Sequence, residues 1–209
     1  MDKQSLSFFY FPKTANNSVL NIYKLAPKFI SAIKNNNGNI EIKAKLEYYA
    51  FLCKLCKMHM NYNFNIDFTA EDYPDFFKRF QLSCFVRRSF FGFFVKKRYS
   101  EFAGSFINLK THSSVKDVIP SFSDFFTSTS WAEREMYDLF GIYFNKNKDL
   151  RRLLTDYGFS GFPFRKDFPL TGYTEVRYNS ALQRVIVEEI ELSQEFRFFD
   201  FLNPWVVTS

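Results

Sequence analysis

Residues 46–68 read LEYYAFLCKLCKMHMNYNFNIDF, and the hydrophobic period changes partway along them. From Leu46 to Met60 the apolar side chains Tyr48, Tyr49, Leu52, Leu55, Cys56 and Met58 recur near helical spacing, with Lys54 and Lys57 outside them. That spacing predicts an amphipathic helix. From Tyr62 the period drops to two: Tyr62, Phe64, Ile66 and Phe68 alternate with Asn63, Asn65 and Asp67. Alternation of this kind predicts a strand with one buried face.

Upstream, Ile40, Ile42 and Ala44 alternate with charged residues as a half-buried strand should, after a turn at Asn35-Asn36-Asn37-Gly38. Before that turn, Leu20, Tyr23, Leu25, Phe29, Ile30 and Ile33 fall near helical spacing within Val19–Lys34, although Pro27 interrupts them. Residues 1–18 read as irregular. Downstream, Glu71-Asp72-Tyr73-Pro74 is expected to be a loop, followed by an antiparallel pair, Phe80–Val86 with Phe90–Arg98, and a strand over Ser105–Lys110. Two short helices are expected next. In the second, Ser130-Trp131-Ala132-Glu133 fits a capping box and Gly141 suits a C-terminal stop. The order points to an α+β fold: an N-terminal antiparallel or mixed sheet with two flanking helices, then a largely irregular, extended C-terminal arm. The divisions expected are residues 1–18, an α+β domain over 19–141, and the arm over 142–209.

Pro163, Pro169 and the glycines at 158, 161 and 172 break any long element in the arm, leaving a hairpin of Glu175–Tyr178 and Arg184–Glu188. Yet the arm is dense in Phe, Tyr and Leu, which must be buried somewhere. It either orders against another surface or folds back on its own domain, and composition does not choose.

The chain has 209 residues, 46% of them hydrophobic, enough for a real core. Its 30 Phe and 12 Tyr point to an A+T-rich coding sequence, so many Phe stand where Leu would serve. A formal charge of +6 allows nucleic acid, an anionic membrane or acidic protein partners. Three Cys and no secretory segment argue against a disulfide framework. No apolar run approaches the ~20 residues that span a bilayer, so membrane association is expected to be peripheral. No Arg-rich transit segment is visible, so either the protein is made where it acts or a presequence has been removed.

Cys53, Cys56 and His59 sit at successive three-residue steps on the first helix, and Cys84 lies alone on a strand. A closed zinc or iron–sulfur site usually needs four ligands, so the thiols are expected to pack in the core. Neither a hydrolase triad around His112 nor a nucleotide-binding glycine loop is supported. Glu133, Arg134, Glu135 and Asp138 place three carboxylates around an arginine; acid–base catalysis is possible chemistry, while dipole stabilisation and local ion pairing form the structural reading. Arg88–Val95 approximates an RNA-recognition strand but has Ser89 where glycine is expected.

The blocks Glu133–Gly141, Asp149–Phe159, Arg165–Tyr173, Glu175–Tyr178 and Glu191–Phe201, closing at Pro204-Trp205, occur in an ordered series. This series resembles the 30 kDa-class core subunit of respiratory complex I, in its mitochondrially encoded subunit 9 form. Asp67–Pro74 resembles the same family more loosely. The resemblance implies a cofactor-free structural and assembly subunit of the quinone module of proton-translocating NADH:ubiquinone oxidoreductase. It further implies a position on the matrix side of the mitochondrial inner membrane and a large hetero-oligomer that includes iron–sulfur-bearing core subunits. No nucleic-acid partner is expected.

On that basis Arg151, Arg152, Arg165, Lys166, Asp167, Glu175, Arg177 and Arg197 are expected to pair with neighbouring subunits, with Phe168, Tyr173, Phe196 and Trp205 as apolar anchors. Ser130, Glu133, Arg134, Glu135, Asp138 and Gly141 are expected to be structural. Two departures stand out: Asn147-Lys148 replaces the family's usual His-Pro, and Phe162 stands where a histidine is usual. The rival readings are a basic, aromatic-rich RNA-binding or mitochondrial ribosomal protein, and an enzyme using Glu133, Glu135 and Asp138.

Overall fold

The structure, a computed structural model, describes residues 25–36, 39–60, 62–88, 106–197 and 199. After a 3-10 turn at Pro27–Phe29 come β1 (Ile30–Asn36), β2 (Asn39–Ala44), α1 (Leu46–Met60), β3 (Phe64–Asp72), β4 (Phe80–Arg87) and β5 (Phe106–Ser113). Then follow β6 (Val118–Pro120), α2 (Thr129–Phe140), β7 (Tyr143–Asn145), β8 (Thr174–Asn179) and β9 (Arg184–Glu189). Strands β1 to β5 form one sheet in the order β1-β2-β5-β4-β3, antiparallel except for the parallel pair β2 and β5. The expected α+β class, mixed sheet and two helices are found.

Helix α1 has the bounds its periodicity predicts, and it lays Tyr49, Leu52, Cys53 and Cys56 against β2 and β5. Fully burying one such apolar side chain stabilises the fold by about 1.5–3 kcal/mol. Tyr49 keeps its hydroxyl satisfied by donating to the Leu109 carbonyl at 3.0 Å. The three thiols are free and buried, with Cys53 Sγ 3.9 Å from Cys84 Sγ. Burial pushes the Cys56 thiol up to about 12, which leaves it an unreactive packing group. Several of the many rings close the core: Phe68 stacks on Phe122 with centroids 5.0 Å apart, and Tyr49 and Phe144 pack around that pair.

Four expectations fail for tertiary reasons. Residues 30–34 are strand, not helix, because the edge of β2 takes their backbone groups in an antiparallel ladder. Met58 is exposed, lying off the face that meets the sheet. Glu71 and Asp72 continue β3, paired with Gln81 and Phe80. Turns at residues 123–125 and 127–128 replace the first of the two short helices expected downstream. The expected strand Phe90–Arg98, the centre of the Asn35–Gly38 turn and Trp205 lie outside the described residues.

The expected capping box is also absent. Helix α2 begins at Thr129 with Ser128 at its N-cap and no side-chain cap bond, so Ser130 sits inside the helix. Its Thr129 hydroxyl donates back to the Phe126 carbonyl at 2.6 Å. The C-terminal stop is as expected: Gly141 has φ 75°, and its N–H bonds the Tyr137 carbonyl at 3.1 Å. A side chain there would be strained and would also collide, since a Cβ would lie 2.6 Å from Arg165 Nη2 and 2.7 Å from Phe162 Cζ.

The chain divides into two compact units, Met1–Phe168 and Pro169–Ser209. The boundary expected after residue 141 therefore falls within the first unit. In the second, β8 and β9 form a two-stranded antiparallel hairpin, as the alternation of Glu175–Tyr178 and Arg184–Glu188 predicts. Among the described residues, no helix is long and apolar enough to cross a membrane.

Candidate functional site

Helix α2 carries three of its four charged side chains inward, while Glu135 is exposed. Glu133 and Asp138 are fully buried and Arg134 is 8% exposed. Such burial is tolerated only with dense hydrogen bonding. Glu133 accepts from the Ser121 hydroxyl and the Phe122 N–H, both at 2.6 Å, and from Asn147 Nδ2 at 2.8 Å. Burial pushes its pKa up, and these three donors pull against that without cancelling it. Glu133 thus pins the turn before α2 and the loop after β7 to the helix.

Asp138 does the same for residues 153–155. It accepts the N–H groups of Leu153, Leu154 and Thr155 at 3.0, 2.6 and 2.9 Å, the Thr155 hydroxyl at 2.6 Å, and Arg152 Nη1 at 3.3 Å. Burial alone would raise its pKa; the Thr155 hydroxyl and the three N–H groups outweigh it and hold the carboxyl near 2. Arg152 also donates to the Gly161 carbonyl at 3.2 Å.

Among the described residues, Arg134 does not pair with a carboxylate as expected. It donates to the carbonyls of Arg151 and Arg152 at 3.2 and 3.3 Å and lies 5.5 Å from the centre of the Trp131 ring. Residues 151–158 and Arg134 line a cleft of about 730 Å³. Neither Glu133, Glu135 nor Asp138 belongs to that lining.

A second ionic cluster ties β3 to residues 165–167. Asp72 receives Arg79 Nε at 2.5 Å and Nη2 at 2.7 Å, together with the Lys166 N–H at 2.8 Å. Arg79 Nη1 reaches Asp167 at 2.9 Å. Burial pushes Asp72 up, but Arg79 and the Lys166 N–H bring it below the ordinary carboxylate range. Arg165 donates to the Phe140 carbonyl at 2.6 Å and stacks 4.3 Å from the Phe162 ring centre.

The family model of the respiratory-chain NADH dehydrogenase 30 kDa subunit matches residues 42–174, more than half of the chain. The NADH-ubiquinone oxidoreductase subunit 9 of Reclinomonas americana is 39% identical over 89% of this chain and 86% of its own length. The chain belongs to the respiratory-chain NADH dehydrogenase 30 kDa subunit family.

Within that 30 kDa subunit family, the subunit 9 of Prototheca wickerhamii is 38% identical over 91% of this chain and 94% of its own. A trypsin-resistant fragment of Nqo5 covers 64% of this chain with a TM-score of 0.52 and 26% identity. A chain of an archaeal membrane-bound sulfane sulfur reductase, at 21% identity and a TM-score of 0.60, shares the fold. None of these relatives supports the RNA-binding reading.

The block Glu133–Gly141, which lies within the matched residues, is a set of clamps. Among the residues expected to meet partners, the structure gives Arg152, Arg165 and Asp167 bonds inside the first unit. Phe168 packs 6.0 Å from Phe159 and Arg151 pairs with Asp149 on the surface. In the second unit, Arg177 forms a two-pronged pair with Glu188 at 2.6 and 2.9 Å, and Arg197 lies 5.9 Å from the Phe199 ring. Tyr173, Glu175 and Phe196 are exposed there. Sequence reasoning missed Asp72 and Arg79, expecting a loop where β3 continues. Asn147, one of the two departures from the family pattern, donates its amide to Glu133. Among the described residues, no group of three or more His, Cys, Asp or Glu is placed to hold a metal ion.

Proposed function

We propose that the chain is a core structural subunit of the quinone module of a proton-translocating NADH:ubiquinone oxidoreductase. In this reading it is carried peripherally on the matrix side of the mitochondrial inner membrane, beside iron–sulfur-bearing subunits. It contributes by joining neighbours and holds no cofactor or catalytic residue of its own. Its relatives are named as NADH-ubiquinone and NADH-quinone oxidoreductase subunits.

The observation that carries the joining role is the hairpin. Val176 pairs with Val187 and Tyr178 with Val185, so all four share one face, and all four are more than half exposed. A two-stranded hairpin is marginal in water by itself. It gains stability by burying such a face, and a neighbouring subunit supplies the surface. Tyr173, Glu175, Arg177, Phe196 and Arg197 in the same unit are the accompanying contact residues, with Arg151, Lys166 and Asp167 as contributors from the first.

Native electrophoresis of detergent-solubilised membranes, stained for NADH dehydrogenase activity and probed for this chain, tests the assignment. Co-migration with the large active band is expected. Migration as a small species, or with ribosomes, overturns it.

A further inference from the structure

We propose that the cleft between α2 and residues 151–158 receives an acidic segment of a neighbouring subunit, entering with a carboxylate toward Arg134. This rests on the chain being a subunit of a larger complex, as above. The cleft has a volume of about 730 Å³, and its lining includes Arg134, Arg151, Arg152, Leu154 and Tyr157, so that three arginines stand against one acid, the exposed Asp156 that accepts the Tyr157 N–H.

Charge complementarity argues for the occupant. Arg152 is neutralised by the buried Asp138, and Arg151 pairs with Asp149 at 3.1 Å on the surface. Arg134 is more buried than either, yet among the described residues it forms no ion pair and meets only two carbonyls and the Trp131 ring. A buried guanidinium without a carboxylate is costly, and an incoming anion would relieve that cost. The N–H groups of residues 153–155 are already committed to Asp138, so the arginines are the charged donors that the lining offers a ligand.

The rim decides between a peptide and a free anion. Leu154 is 61% exposed and Tyr157 fully so, and the Trp131 ring beside Arg134 is 64% exposed. Phosphate would satisfy Arg134 but leave these groups in water. A peptide presenting Asp or Glu beside an apolar side chain covers both. Arginine and aromatic side chains are the types that dominate interface energetics.

Arginine labelling with phenylglyoxal, read by mass spectrometry, tests this in the purified assembled complex against the full-length chain alone. Arg151, on the open side of the cleft, is expected to label in the chain and to be protected in the complex. R151E is expected to be lost from the complex at lower salt than R151Q, because reversal repels a carboxylate where neutralisation only fails to attract one. Equal labelling of Arg151 in both states overturns the inference while leaving the subunit assignment standing. Protection released by added inorganic phosphate, or by delipidation of an intact complex, also overturns it in favour of a small anion or a lipid headgroup. Absence of the chain from the complex instead removes the assignment on which the inference rests.

Discussion

The carboxylate of Asp138 holds Thr155 twice, accepting its backbone N–H at 2.9 Å and its hydroxyl at 2.6 Å. A helix side chain thereby fixes the conformation of a segment that carries no regular structure. Residues 153–155 have no ladder or helix to satisfy their N–H groups, and Asp138 takes the place of one.

Asp138→Ala is expected to destabilise the isolated chain by about 3 kcal/mol or more, since each orphaned buried donor costs about 1–3 kcal/mol. Urea unfolding would measure it. The acid dependence carries a definite sign. Asp138 has its pKa depressed in the folded state to about 2, so its stabilisation is present above the unfolded value and is lost as pH falls through the folded one. The pH-linked contribution is about 2–3 kcal/mol. Wild-type stability should therefore fall on acidification below about pH 4, and the Asp138→Ala chain should show a shallower fall.

Glu133 behaves in the opposite sense. Its folded pKa is raised, so the stability linked to its protonation is present below the unfolded value and declines as pH rises through the folded one. Glu133→Gln removes the charge but turns an amide donor toward either the Phe122 N–H or Asn147 Nδ2. A net loss of about 1–3 kcal/mol is expected, from one unsatisfied donor. Combining it with Asn147→Asp, which supplies an acceptor for that amide, should recover part of the loss in a denaturant titration.

Breaking the Asp72–Arg79 pair should be costly, because the Asp72 side chain is 1% exposed and the Arg79 side chain 16%. Removing one member of a buried pair costs about 3–5 kcal/mol. Asp72→Ala should fall at the lower end of that range, since Arg79 keeps Asp167 as a partner. The Lys166 N–H also loses its acceptor. Amide hydrogen exchange at Lys166 should quicken; unchanged protection there would contradict the role given to Asp72.

Val187→Lys on the hairpin should leave the urea midpoint of the chain within about 0.5 kcal/mol of wild type, as is usual for exposed positions. Its incorporation into the large NADH dehydrogenase band should drop. Arg165→Ala, by contrast, should lower stability itself, because Arg165 is bonded to the Phe140 carbonyl and stacked on Phe162. Comparing the two separates a partner contact from a fold contact. Wild-type assembly by the Val187→Lys chain would remove the hairpin from the interface.

Much of the fold was legible because its signals are local. Helix α1 has the bounds that its apolar spacing implies, and the period-two runs at Ile40–Ala44, Phe80–Val86 and Glu175–Tyr178 are strands. Residues 30–34 misled because Ile30 and Ile33 satisfy helical spacing, while the available edge of β2 offered them a ladder. Ser130 and Glu133 have the spacing of a capping box, yet Glu133 is held by Ser121 and Phe122 instead.

Periodicity and turn chemistry depend on neighbours within a few residues, so the sequence alone determined α1, most strands of the sheet, the Gly141 stop and the family to which the chain belongs. The partner of each buried charge depends on which distant segments meet. Lys166 is 94 positions from Asp72, and Leu153, Leu154 and Thr155 converge on one carboxylate 15 to 17 positions away. Only the tertiary structure decided that Glu133 and Asp138 act as clamps, that Arg152 and Arg165 are claimed within their own unit, and that Arg134 faces a cleft with no ion pair among the described residues. Local sequence cannot encode those outcomes, because desolvation and hydrogen-bond geometry arise only once the elements have packed.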